Sequence, residues 1–167
     1  MPAGIGVDML EIARMERVIK RRPSFLKRVF TDEERGYCDA CARPAEHYAA
    51  RFAAREAVLK ALGTGFSEGI GVKDVSVVND ASGRPLAVLS GRAAEIATEQ
   101  GVQEIALSLS HTRDVAVANA VLVTEAVRPK VEEHVDPVEE LRVSFKAARA
   151  VIDELERQQL SLFEEGL

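Results

Sequence analysis

The sequence predicts an α+β fold in which a mostly antiparallel sheet wraps one long central helix, with an added helix at the C-terminus. Three observations carry that expectation. "HYAARFAAREAVLKAL" lies in an unbroken helical pattern over about residues 45–62, ended by Gly63. Two pairs of strand-like runs are joined by short turns, which is hairpin chemistry. Helices precede and interrupt the strands instead of alternating with them, which argues against a doubly wound parallel sheet.

The elements follow in order. "GIGVDMLEI" sets Ile5, Val7 and Met9 against Gly4, Gly6 and Asp8, the period of two of a strand. Its second face is nearly bare, so another element can come close, and Asp8 lies on that bare face. Residues 12–21 read as a short helix, and Pro23 suits the start of another. Thr31 and Glu34 form a T-x-x-E capping box, which places a third helix from about Asp32. Pro44 interrupts the pattern before the long helix. "VKDVSVV" and "PLAVLS" read as strands joined by "NDASGR", and "GRAAEIATEQG" as a short helix. "EIALSLSHT" and "VAVANAVLV" are two further strands, turning at Arg113-Asp114.

Residues 1–126 read as one domain, 127–137 as a polar linker with Pro129 and Pro137, and 138–167 as a helical extension. In the extension Val138, Leu141, Phe145, Ala148, Ile152 and Leu155 recur at spacings of three and four. Docking of that stripe on its own or a neighbouring subunit is the expectation, ahead of a separate coiled coil. "QLSLF", Gln159–Phe163, resembles the short motif by which bacterial proteins bind the polymerase sliding clamp. The same leucines can finish the amphipathic helix, and helix-end packing is the expectation there.

Of 167 residues, 47% are hydrophobic and 29% charged, as in ordinary globular chains. With no Trp and only six Phe, the core must be mainly aliphatic. A net charge of −5 disfavours general nucleic-acid binding, which needs clustered Lys and Arg. No apolar run has membrane-spanning length, and "MPAGIGVDML" lacks the order of a signal peptide, so a cytoplasmic location is expected. Cys38 and Cys41 form a lone C-x-x-C, without the four ligands of a zinc site or the strand-to-helix setting of a redox pair. They are expected as free thiols.

The chemistry-bearing residues are individually plain. Glu56 and Lys60 share a helix face at i and i+4, which by itself is an exposed ion pair. Glycine at a helix end is a stop signal, Asp8 can cap the next helix, and His111 can end a strand. Together they suit phosphoryl transfer, which rests on positioning and charge neutralisation. Asp8 and Glu56 supply hard oxygens for Mg²⁺, Lys60 a point charge for phosphate, the Gly63-Thr64-Gly65 run backbone N–H groups, and Ser110, His111 and Thr112 neutral donors. A P-loop hydrolase is excluded, because no G-x-x-x-x-G-K-[ST] is present.

"GIGVDMLEIARMERV", "RFAAREAVLKALGTG" and "LSLSHTRDVAVANAV", with "GRP" at 83–85, resemble in order and spacing the holo-acyl-carrier-protein synthases, the small bacterial 4′-phosphopantetheinyl transferases. The resemblance runs over residues 4–123. It implies transfer of 4′-phosphopantetheine from coenzyme A to a serine of apo-acyl carrier protein in fatty acid biosynthesis, with release of adenosine 3′,5′-bisphosphate. It implies Asp8 and Glu56 as Mg²⁺ ligands, Glu56 as the group that helps deprotonate the serine, and Lys60 as the partner of the departing phosphate. Gly63, Thr64, Gly65, Pro85, Ser110, His111 and Thr112 would line the coenzyme A site. Arg14 would dock the acidic helix of the carrier protein, with Arg17 and Arg21 beside it. A homotrimer with sites between subunits is also implied. The family usually has lysine where this chain has Arg55, a change that bears on a phosphate contact if the residue faces the ligand. The rival reading is a coenzyme A or carrier-protein binding module without activity; the presence of both carboxylates and the lysine argues against it.

Overall fold

The long helix, α4 (Pro44–Leu62), runs through the middle of the domain and is buried almost all round. The computed structural model describes residues 4–67, 69–127, 145, 146 and 149. The chain divides into two units, residues 1–128 and 129–167. Within the second, Phe145 and Lys146 are helical; the rest of the expected stripe, the linker beyond residue 127 and the QLSLF segment lie outside the described residues.

Strand β1 (Ile5–Glu11) leads into helices α1 (Ile12–Arg21), α2 (Pro23–Val29), α3 (Asp32–Ala40) and α4. The hairpin β2 (Val75–Asn79) and β3 (Pro85–Leu89), helix α5 (Gly91–Glu99) and the hairpin β4 (Val102–His111) and β5 (Val115–Thr124) complete the domain. Every pairing is antiparallel. The strands form two sheets, β1-β5-β4 and β2-β3. The chain between β3 and β4 is spent on α5, so no tight turn knits the two hairpins into one ladder. Pro44, expected as a break, is the first residue of α4, where its missing N–H costs nothing. Gly63 ends the helix in the left-handed conformation, at φ 78°.

The bare face of β1 is what α4 packs on. A Cβ on Gly4 would lie 2.1 Å from the Ala61 carbonyl oxygen, and one on Gly6 would lie 1.8 Å from that of Ala57. The helix answers with small residues, Ala53, Ala57 and Ala61, and β5 with Ala116, Ala118 and Ala120, all buried. Helix and sheet thus meet through alanines and glycines, backbone close to backbone. The apolar alternates of β1 face the other way: Ile5, Val7 and Met9 are 69%, 48% and 66% exposed. A period-two strand normally buries its apolar set; here the glycine face is the buried one, because only glycine fits against the helix.

A second cluster packs α1, α2 and α3 on the first half of α4 through Ile12, Met15, Val29, Phe30, Cys38 and Tyr48. The expected capping box starts α3: the Glu34 N–H donates to Thr31 Oγ1 (3.2 Å) and the Thr31 N–H to Glu34 Oε2 (2.9 Å). The same Glu34 carboxylate is fully buried and accepts from the Val77 N–H (3.0 Å) and from Arg55 Nη2 (3.0 Å). Arg55 Nε donates to the Val75 carbonyl at 2.6 Å. One buried ion pair therefore ties α3, α4 and β2 together. It also removes Arg55 from any role at a phosphate: its side chain points into the interior among protein partners, so the substitution of the family's lysine is a matter of packing and internal hydrogen bonding. Both cysteines are free thiols. Cys38 is buried, and that burial pushes its pKa up to about 12.

Candidate active site

Asp8 projects from the buried face of β1, in the alternation that sends Gly4 and Gly6 toward α4. Glu56 and Lys60 rise from successive turns of α4 beneath it. Lys60 Nζ donates to Asp8 Oδ1 at 2.7 Å and to the Val7 carbonyl oxygen at 3.1 Å. The Asp8 side chain is 18% exposed and that of Lys60 49%, so the pair sits at the mouth of the site and not in its floor. Burial raises the Glu56 pKa, and the Asp8 charge raises it further, against the opposing charges of Lys60 and Arg55. The Asp8 bond raises the pKa of Lys60. Two neighbouring carboxylates with one ammonium bonded to Asp8 form a compact site for a cation and a phosphate.

Asp8 and Glu56 open into a cleft of about 430 Å³ whose walls are Leu10, Met15, Val18, Phe25 and Phe52, with Arg14 at its rim. Arg14, Arg17 and Arg21 are all exposed along α1. Among the described residues no group of three or more His, Cys, Asp and Glu side chains converges on one point. Asp8 and Glu56 alone fit Mg²⁺ nonetheless, since that ion keeps waters and takes one or two carboxylates alongside substrate phosphates.

The remaining expected residues lie elsewhere on the chain. Pro85, Ser110 and His111 line a second groove of about 300 Å³, separate from the first. This groove also holds Tyr37, His47, Arg51 and Asn79, which are not among the site residues expected from the sequence. Arg51 Nη2 donates to Asn79 Oδ1 at 2.7 Å, and its guanidinium lies 4.0 Å from the centroid of the Tyr37 ring. The His47 and His111 rings are 6.5 Å apart. Burial lowers the His47 pKa, and the Arg51 charge and His111 lower it further. His47 and Arg51 stand four residues apart on α4, so a shared face was available as a signal. The pairing with Asn79 and Tyr37 was not, because it crosses three elements.

Two sets of expected donors have local partners in this structure. The Thr64 and Gly65 N–H groups both donate to the Leu59 carbonyl, at 3.2 and 3.4 Å, and Gly63 N–H to Lys60 O at 3.0 Å. They close the end of α4. The Thr112 hydroxyl accepts from the Asp114 and Val115 N–H groups at 3.3 and 3.2 Å, which spends it on the β4–β5 turn.

A family model for the 4′-phosphopantetheinyl transferase superfamily matches residues 4–120, the span that holds both clefts. The chain belongs to that superfamily. Among curated relatives, the holo-(acyl-carrier-protein) synthase of Geotalea daltonii is 47% identical over 120 residues, covering 71% of this chain and 96% of the relative. That of Moorella thermoacetica is 48% identical over 117 residues, covering 70% and 91%. Among solved structures, the holo-(acyl-carrier-protein) synthase of Neisseria meningitidis superposes with a TM-score of 0.65 at 32% identity, covering 72% of this chain and 98% of that one. The Bacillus anthracis synthase, solved in complex with CoA (3′,5′-ADP), gives 0.60 at 34% identity, covering 72% and 96%. The α+β architecture around one long helix is thus shared with the superfamily. The family model ends at residue 120 of the 167.

Proposed function

We propose that this chain transfers the 4′-phosphopantetheine group of coenzyme A to a serine of apo-acyl carrier protein, serving fatty acid biosynthesis. The observation that carries the reading is the opening of Asp8 and Glu56 into one cleft, with Lys60 bonded to Asp8. The serine hydroxyl attacks the β-phosphorus of coenzyme A, the P–O bond to the adenosine-side phosphate breaks, and adenosine 3′,5′-bisphosphate leaves. Glu56, whose basicity is raised by burial and by Asp8, accepts the serine proton. Lys60 neutralises charge on the departing phosphate from a half-exposed position that can swing toward it. Asp8 and Glu56 would hold Mg²⁺, which supplies charge neutralisation of the pyrophosphate when bound. Arg14, at the rim beside both carboxylates and continued by Arg17 and Arg21, meets the acidic carrier protein.

The active form is a homotrimer with each site shared between two subunits. Two features support this. The coenzyme A residues Pro85, Ser110 and His111 line a different groove from Asp8 and Glu56. The apolar strip Ile5, Val7 and Met9, flanked by half-buried Val117 and Val121, has no layer over it among the described residues. Gly63, Thr64 and Gly65 then contribute by shaping the chain after Lys60, not by donating N–H groups. Two free thiols fit a reducing, cytoplasmic setting, and among the described residues no helix is long and apolar enough to cross a membrane. The test is mass spectrometry of apo-carrier protein after incubation with the protein, coenzyme A and Mg²⁺. A mass gain of one phosphopantetheine supports the reading; an unmodified carrier with active control enzyme in parallel refutes it.

A further inference from the structure

Lys60 and the metal have a claim on the same carboxylate. The ammonium stands 2.7 Å from Asp8 Oδ1 and is held a second time by the Val7 carbonyl oxygen at 3.1 Å. A divalent ion on Asp8 and Glu56 would approach that carboxylate at roughly 2.0–2.1 Å. Two cations would then sit within a few ångströms of each other on one carboxylate, and their repulsion is strong at that range. Each therefore weakens the other's hold on Asp8. Lys60 is one turn beyond Glu56 on α4, on the same face of the helix. With half its side chain exposed, it can leave Asp8 without burying its charge. Among the described residues no third acidic, histidine or cysteine side chain joins the pair to outweigh the ammonium.

We propose that Lys60 is the resident counter-cation of Asp8 and holds that carboxylate against divalent metal until the phosphates of coenzyme A draw the ammonium away. Metal and coenzyme A then bind cooperatively, each raising the affinity of the other by the same factor. Lys60 serves twice: first as a placeholder on Asp8, then as the phosphate's partner. This rests on the reading of Asp8 and Glu56 as metal ligands, and the experiment separates the two.

The full-length protein is titrated with Mn²⁺, and the free ion is followed by its electron paramagnetic resonance signal, with and without coenzyme A. No turnover enters the measurement. Without coenzyme A, Lys60→Met and Lys60→Gln should each bind Mn²⁺ about tenfold more tightly than the wild type, a difference of about 1.4 kcal/mol. Lys60→Arg, which keeps the charge, should not tighten binding. Coenzyme A should enhance Mn²⁺ binding by a larger factor in the wild type than in Lys60→Met. Unchanged or weaker Mn²⁺ affinity in both neutral variants, or the same enhancement with and without the lysine, overturns the proposal. Asp8→Asn is the separate control. If it leaves Mn²⁺ affinity unaltered, the ligand assignment itself fails; if it weakens binding while the lysine variants do nothing, only the placeholder role fails.

Discussion

At the scale of single residues, Glu56 carries the most chemistry. It is pushed toward its protonated form by burial first and by Asp8 second, so its ionised form is costly wherever no cation compensates. Glu56→Gln should lower transfer by about 10²–10⁴-fold, as loss of a general base does. With chelator present its melting temperature should equal or exceed the wild type's; a lower one would mean that the carboxylate stabilises the fold. His47 gives the opposite pH signature. Its pKa is lowered in the folded state by burial, Arg51 and His111, so the unfolded chain binds its proton more readily. Stability from this group is full above its ordinary value of 6.5 and is lost as pH falls through the lower folded value. Denaturant melts at pH 7.5 and 5.5 should show a smaller loss in His47→Phe than in the wild type. An identical pH dependence in the two proteins removes His47 from the account.

Between elements, two contacts decide where the site residues point. The first is the approach of α4 to β1. Gly6→Ala would put a Cβ at 1.8 Å from the Ala57 carbonyl oxygen, a backbone atom with no room to yield. The cost should be about 3 kcal/mol or more, read as a shift in urea midpoint. Asp8 moves with the strand, so transfer activity should fall further than the folded fraction does. The second contact is the Glu34–Arg55 pair beneath β2. Arg55→Met leaves Glu34 buried with its charge uncompensated by any cation, which should cost about 3–5 kcal/mol. The double variant Glu34→Gln/Arg55→Met should recover part of that loss, and a double-mutant cycle measures how much. Additive losses would show that the two residues act independently.

For the whole molecule, the decisive quantity is whether one chain holds one complete site. Asp8 and Glu56 open into one cleft, with Lys60 bonded to Asp8, while Pro85, Ser110 and His111 line another. If a trimer joins them, Glu56→Ala and His111→Ala damage different halves of the same composite site. Each variant alone should be poorly active. Subunits mixed at equal ratio and allowed to exchange should regain about one quarter of wild-type activity, since one in four random interfaces pairs two intact halves. No recovery, after light scattering has shown that subunits exchanged, would place both halves of the site in one chain. The outward strip of Ile5, Val7 and Met9 belongs to this scale too. It makes sense only if something covers it, and a second copy carries the same apolar surface.

Much was legible in the sequence because it is written locally. The capping box at Thr31 and Glu34, the Gly63 stop and the turn between β4 and β5 are short-range hydrogen-bond patterns. Glu56 and Lys60 share a face through helix geometry alone. Alternation placed Asp8 with Gly4 and Gly6, and three motif blocks in order pointed to the superfamily. What the chain's order does not carry is partnership across distance. That the bare side of β1 is the buried one follows from α4 lying 1.8 Å from where a Cβ on Gly6 would be. Arg55 could have faced a phosphate or the interior; Glu34 and Val75, some twenty residues away on either side, decided it. Arg51 gained a partner in Asn79 only because a hairpin folds over the start of α4. Thr64, Gly65 and Thr112 offered donors and acceptors by type, yet local bonds at the end of α4 and in the β4–β5 turn closed them on the backbone. Spacing along a helix or strand sets which side chains share a face. Which face meets protein, and which is left for ligand, is fixed only when the other elements have chosen their own.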